Sequence, residues 1–198
     1  MKYSLFFSEV SRGLALRSFA GIVDRSTIKR SFEASSFKDA VNKAEEIWKE
    51  IEDNPRIPVI IIEHLEEPYF TSMNNSLYEM QRIVQGNIDI VNCPDLKDID
   101  IICNDEGKLF RLPLNRSLTS DDQVYDVIAG NMILAASDEE GNTIGLSKEQ
   151  IIRSYKFFQE PEIFVVNDIK EEIEVLNCTL EMARIMKMNF IPNVSLNN

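Results

Sequence analysis

Ile101-Ile102-Cys103-Asn104-Asp105-Glu106-Gly107-Lys108-Leu109-Phe110-Arg111-Leu112-Pro113-Leu114-Asn115-Arg116 is the stretch from which the fold is read. An apolar run enters four polar residues ending in Gly107 and leaves through a second apolar run. The pattern predicts a hairpin of two short strands, 99–103 and 109–114, with Gly107 free to take positive φ. Pro113 lacks an N–H, which places the return strand at an edge or near its end. Asn115 and Arg116 then follow directly on a rigid element. A guanidinium is a planar fork for phosphate or carboxylate, and an asparagine amide offers donor and acceptor together. These two are the first candidates for gripping a ligand. Phe110 is placed to stack a base, Asn104 and Lys108 sit across the turn, and Gln81 and Arg82 form a weaker polar pair upstream. Pairing of Arg116 with Asp121 or Asp122, and capping of its own loop by Asn115, remain open alternatives.

Upstream, Tyr3, Leu5 and Phe7 alternate as in a strand, and residues 14–16, 19–23 and 28–34 read as further short strands. The clearest helix carries Phe37, Ala40, Val41, Ala44, Ile47, Trp48 and Ile51 on one face. Ser36 with Asp39 opens it as a capping box, and Asn54-Pro55 ends it. Residues 1–57 therefore form a β-rich unit with one helix. A new strand follows at 59–63. Ser76 to Glu79 caps a short helix ending at Gly86, and residues 87–91 make another strand.

Downstream, residues 124–136 are apolar around Ala129-Gly130-Asn131, where the glycine suggests a bulge or a close backbone approach. Residues 138–142 are a hairpin turn. Leu146 to Ile151 combines a staple with a capping box, Ser147 with Gln150, and its helix runs to Pro161. Residues 163–166 make a last strand, which closes an α+β domain at 58–167. Residues 168–198 form a long C-terminal helix and a frayed tail. That helix, begun at Asn167-Asp168, has an apolar face of Ile169, Ile173, Leu176, Leu180 and Ala183, widened by Val175, Cys178, Met182, Ile185 and Met186. A face this broad either packs on the N-terminal unit or pairs with a second copy as a homodimer. The expected class is α+β: small antiparallel sheets with packed helices, plus the C-terminal helix.

Composition narrows the function. Apolar content of 44% with 27% charged residues fits a globular chain, and no apolar run approaches the ~20 residues that span a bilayer. An acidic residue comes too early for a signal peptide, so a cytosolic setting is expected. Three cysteines without a C-x-x-C pair and a single histidine, His64, argue against disulfides and against a metal site. Residues 58–167 carry eight Lys/Arg against nineteen Asp/Glu, whereas residues 1–57 carry ten against nine. The acidic middle repels a nucleic-acid backbone. Neither a phosphate-binding glycine loop nor a G-x-S-x-G elbow is present, and residues 138–142 are too few for a calcium loop. His64 reads as structural. No cofactor is called for.

A set of spaced motifs adds to this reading: Glu67-Pro68-Tyr69; Ser76-Leu77 with Met80-Gln81 and Ile83-Val84; and Gly86 with Ile88. Cys103 to Leu109, Leu112 to Arg116, Asp126 with Ile128-Ala129-Gly130, Leu146-Ser147 with Glu149-Gln150, and Pro161-Glu162 before Phe164 complete it. In these, residues 59–166 resemble a family known only as a domain of unknown function, found in tailed phages, plasmids and integrative elements of Gram-positive bacteria. One departure is Gln85-Gly86, where the family has paired glycines. The resemblance implies a mobile-element setting and no particular activity. The leading expectation is a non-enzymatic protein that counters host defence by holding a small anionic, nucleotide-derived signal near Asn115 and Arg116. The alternatives are an acidic interaction protein that covers a basic surface on a host nuclease or DNA-binding protein, and a nucleotide hydrolase.

Overall fold

The computed structural model describes residues 2–8, 13–18, 28–51, 56–121, 123–167 and 172–189. Strands β1 (Lys2–Ser8), β2 (Gly13–Ser18) and β3 (Ile28–Glu33) precede helix α1 (Phe37–Ile51). Then come β4 (Ile57–Ile62), β5 (Tyr69–Met73), α2 (Leu77–Val84), β6 (Ile88–Asn92) and β7 (Asp100–Asn104). A separate ribbon, β8 (Leu114–Ser120) with β9 (Gln123–Ala129), leads to β10 (Met132–Ser137), β11 (Thr143–Ile144) and α3 (Lys148–Phe158). A second ribbon, β12 (Glu162–Asn167) with β13 (Glu172–Asn177), and α4 (Leu180–Asn189) complete the described chain. The class is α+β, as the sequence indicates.

One antiparallel sheet of nine strands forms the centre, in the order β3-β1-β2-β5-β4-β10-β7-β6, with β11 on β10. The sheet crosses the boundary that the sequence suggests at residue 57. Strand β2 of the N-terminal unit pairs with β5, Leu16 opposite Phe70. Strand β4 lies between β5 and β10. Its unbroken run Val59-Ile60-Ile61-Ile62 is explained by burial on both faces. Ile60 and Ile62 join the core with Leu16, Phe70, Leu134 and α1's Ala40, Val41 and Ala44. Val59 and Ile61 join Tyr69, Met80, Ile83 and Val84 under α2.

The helix starts follow the capping residues. Ser76 Oγ accepts from Glu79 N, and Ser147 and Gln150 exchange both bonds of a capping box. At α1, Ser36 Oγ accepts from Asp39 N, but the Asp39 carboxylate accepts from Ser35 N rather than from Ser36, so this box is displaced by one residue. Helix α2 ends on Gln85 at φ 64°, the left-handed conformation that a glycine would take most easily.

Two expectations are corrected. No return strand follows β7, because β6 and β10 already occupy both of its edges. Residues 105–111 instead fold into successive turns, with Phe110 N donating to Glu106 O and Leu112 N to Gly107 O, both at 2.9 Å. Gly107 is needed for close approach, since a Cβ there would lie 2.8 Å from Ala129 O; it does not take positive φ. Positive φ is taken instead by Gly130, at 83°, where the chain passes from β9 to β10, and by Gly141, also at 83°, in the turn before β11. The second correction concerns the long C-terminal helix. Residues 172–177 are a strand, paired along its length with β12, and helix begins only at Leu180. Ile173 and Val175 alternate with glutamates, and β-branched residues at period two favour a strand over a helix. The helix start expected at 167–171, the strand at 19–23 and the tail at 190–198 fall wholly or mostly outside the described residues. The inner face of α4 packs on its own chain through Ala183 and Met186, against Leu65, Ile163 and Cys178. Among the described residues no helix is long and apolar enough to cross a membrane.

Candidate functional site

The Asn-Arg pair lies inside the protein. Asn115 and Arg116 open β8 and are both 0% exposed. Arg116 Nη2 donates to Glu66 O at 2.7 Å and to Phe158 O at 3.3 Å; Nε also reaches Phe158 O. Nη1 donates to Asn115 O and Asn115 Oδ1, both at 3.0 Å. Asn115 Nδ2 in turn donates to Ile62 O at 2.9 Å and Gly130 O at 2.7 Å. One side-chain pair thus ties β4, the turn after it, the β9–β10 junction and the end of α3. Burial lowers the Arg116 pKa to about 10 against the opposing pull of Glu162, so the side chain stays charged at neutral pH. Its donors point at carbonyl oxygens, which corrects the expectation that this pair is displayed to a ligand.

The other candidates do not gather around it. Asn104 Nδ2 donates to Val84 O and Gln85 O and its Oδ1 accepts from Glu106 N, so it fastens the end of α2 to the turn. The side chain fits only because residue 86 is glycine: a Cβ there would lie 2.3 Å from Asn104 Nδ2. Lys108 pairs with Asp126 and Arg82 with Glu79, while Gln81 Nε2 donates to Asn87 Oδ1. Phe110 is 63% exposed on the turn, away from any cavity wall described below. Asn104 and Lys108 share the lining of one small cavity of about 110 Å³, and Gln81, Arg82, Phe110, Asn115 and Arg116 are not among its lining residues.

A cavity of about 530 Å³ opens one residue from Asn115. His64 and Leu65, from the turn after β4, and Pro113 and Leu114, entering β8, form one wall. Glu162, Ile163 and Phe164 of β12, with Met186 and Lys187 of α4, form the other. The walls are mainly apolar, with three polar groups set into them. His64 Nδ1 lies 2.8 Å from Leu114 O. A carbonyl only accepts, so Nδ1 carries the proton and Nε2 keeps its lone pair. Glu162 Oε2 accepts from Ser117 N at 2.6 Å. Lys187 Nζ reaches Glu66 Oε1 at 2.8 Å.

Burial is the main perturbation at two of the wall groups, Glu162 and His64. It pushes the Glu162 carboxyl up, against the Ser117 hydrogen bonds and the Arg116 charge that pull it down. It pushes His64 down, helped by Lys187 and Arg116 and opposed by the Leu114 carbonyl and Glu66. Because the folded His64 pKa lies below its unfolded value, the unfolded chain takes up that proton first as pH falls. The His64 contribution to stability is present above about pH 6.5 and is lost as pH drops below it. Equilibrium unfolding at pH 7.5 and 5.5 should therefore show a larger loss for the parent than for His64→Gln. Glu162 acts with the opposite sign in both proteins, so the comparison isolates the histidine.

The sequence reading passed over His64, Glu162, Phe164, Met186 and Lys187 as ligand contacts. A signal was present for two of them: His64 is the only histidine and follows a strand buried on both faces, and Glu162 belongs to the Pro161-Glu162 motif. Neither the curated proteins nor the solved structures contain a match to this chain. The profile of the family described as Domain of unknown function (DUF3846) matches residues 56–159, from the start of β4 to the end of α3 and just over half of the 198 residues. The N-terminal strands and the ribbon-and-helix addition that supplies the second cavity wall lie outside that match. The protein belongs to the DUF3846 family.

Proposed function

We propose that the protein is a non-enzymatic ligand-binding protein whose site is the cavity between the family domain and the C-terminal ribbon and helix. The observation that carries this reading is the cavity itself, about 530 Å³ of apolar wall holding a histidine, a carboxylate and an ammonium. Small-molecule sites have this character and run from about 300 to 1,000 Å³. Phe164 supplies a ring for a planar group to stack on, and Lys187 at the rim supplies a cation for an anionic or acceptor group. A nucleotide-derived signal has both parts. The mobile-element setting implied by the family resemblance makes sequestration of a host defence signal in the cytosol the role we favour.

Two observations weigh against the other readings. Glu162 is the one carboxylate among the described lining residues, whereas hydrolysis assisted by paired acids needs convergent ones. Of the acids of the middle domain, Asp98 pairs with Arg153, Asp126 with Lys108 and Asp95 with Thr119, so these three are engaged within the chain rather than offered to a basic partner. Titration calorimetry with linear, cyclic and ADP-ribose-derived nucleotides tests the proposal. At least one compound should bind, and Phe164→Ala and Lys187→Ala should each weaken it tenfold or more. Binding by no compound, or unchanged affinity in both variants, would sink it.

A further inference from the structure

Strand β6 closes one end of the nine-stranded sheet and has β7 as its only ladder partner among the described residues. It reads Ile88-Asp89-Ile90-Val91-Asn92, with a single charge and with Ile90 47% exposed. An outer strand of this kind is a template on which another chain can add a strand. Asp105 N donates to Asn87 O at 3.1 Å, which turns residue 87 toward β7. Backbone groups alternate sides along an antiparallel strand. Asp89 and Val91 therefore bond to β7 as well, opposite Cys103 and Ile101, while Ile88, Ile90 and Asn92 direct their N–H and C=O groups off the sheet.

Two of those outward groups are already taken by side chains. Ile90 N donates to Asp89 Oδ1 at 2.8 Å, and Tyr125 of β9 donates its hydroxyl to Asn92 O at 2.7 Å. We propose that Asp89 and Tyr125 close the β6 edge against strand addition by a second copy of this chain. A second copy is the partner excluded because residues 88–92 are complementary to themselves. About a two-fold axis at Ile90, Ile90 meets Ile90, Ile88 meets Asn92 and Asp89 lies opposite Val91, so isoleucines meet at the centre and no like charges are directly opposed. That ladder needs Ile90 N for both of its central bonds and Asn92 O for one bond at each end. Asp89 and Tyr125 withhold those same groups.

Sedimentation velocity over a concentration series of the full chain tests this. Asp89→Ala combined with Tyr125→Phe should self-associate about tenfold or more tightly than the parent. Adding Ile90→Lys should return that variant to the behaviour of the parent, because two ammonium groups would then meet at the axis. Asp89→Asn keeps an oxygen for Ile90 N without the charge and should associate no more tightly than the parent. A double variant no more prone to associate than the parent overturns the proposal, as does association that survives Ile90→Lys. Asp89→Asn associating as tightly as Asp89→Ala overturns the cap and leaves charge alone as the barrier. Hydrogen exchange reads the first cap in the parent without any substitution. The Ile90 amide should exchange about tenfold or more slowly than an unstructured amide, and exchange there at the unstructured rate overturns the proposal.

Discussion

Replacing Arg116 with methionine is expected to lower the free energy of unfolding by about 3 kcal/mol, since each buried acceptor left without a donor costs about 1–3 kcal/mol. Methionine roughly keeps the length and the apolar stem but leaves Glu66 O, Phe158 O and Asn115 Oδ1 without the donors that now reach them. Removing the cost of burying the charge offsets part of that loss, which is why the expectation stops near 3 rather than at the sum of the bonds. Arg116→Lys should recover little, because one ammonium cannot span four oxygens on three chain segments as the guanidinium fork does. Urea unfolding of the parent and both variants measures this. A methionine variant within 1 kcal/mol of the parent would remove the bracing role argued for the pair. Lys187→Ala, at the cavity rim, serves as the control and should leave the unfolding midpoint close to that of the parent, since exposed ion pairs contribute about 0–1 kcal/mol.

Phe70→Ala should cost about 3–5 kcal/mol, the usual loss for a large aromatic removed from a close-packed core. Phe70 is fully buried on β5, opposite Leu16 of β2 and Ile60 of β4. It stands where the N-terminal strands join the family domain. The protein has one tryptophan, Trp48, and it lies on α1. Its fluorescence therefore follows the N-terminal part, while far-ultraviolet circular dichroism follows all the elements. In a single cooperative unit both signals of the variant move to the same lower urea midpoint. If the tryptophan transition keeps the parental midpoint while the dichroism shifts, the two parts fold independently and the shared core is not a thermodynamic unit.

Each of these expectations depends on a position that the sequence marks without explaining. Leu112-Pro113-Leu114-Asn115-Arg116 is visible as a motif, but a motif of polar residues reads the same whether it faces a ligand or the carbonyl ends of other elements. The carbonyls that Arg116 meets belong to residues 66 and 158, about 40 to 50 positions away. In the same way Gly86 and Asn104 look unrelated in sequence, yet the side chain of one occupies the space that the missing Cβ of the other leaves.

Local interactions made much of the chain legible from its sequence alone. Helices α1, α2 and α3, their caps at Ser36, Ser76 and Ser147, and the buried run of β4 rest on contacts within a few residues and on hydrophobic period. Those are properties of the sequence itself, so the α+β class followed from them. Only the tertiary structure decided the rest. Strand β7 found both edges taken, which denied residues 109–113 a place beside it, and β12 offered residues 172–177 a ladder that a helix would have forgone. The cavity is built from four segments far apart in the chain, and its polar character depends on a histidine tautomer held by a carbonyl 50 residues away. Pairing partners and burial are set by the whole packed chain, and no stretch of sequence carries them alone.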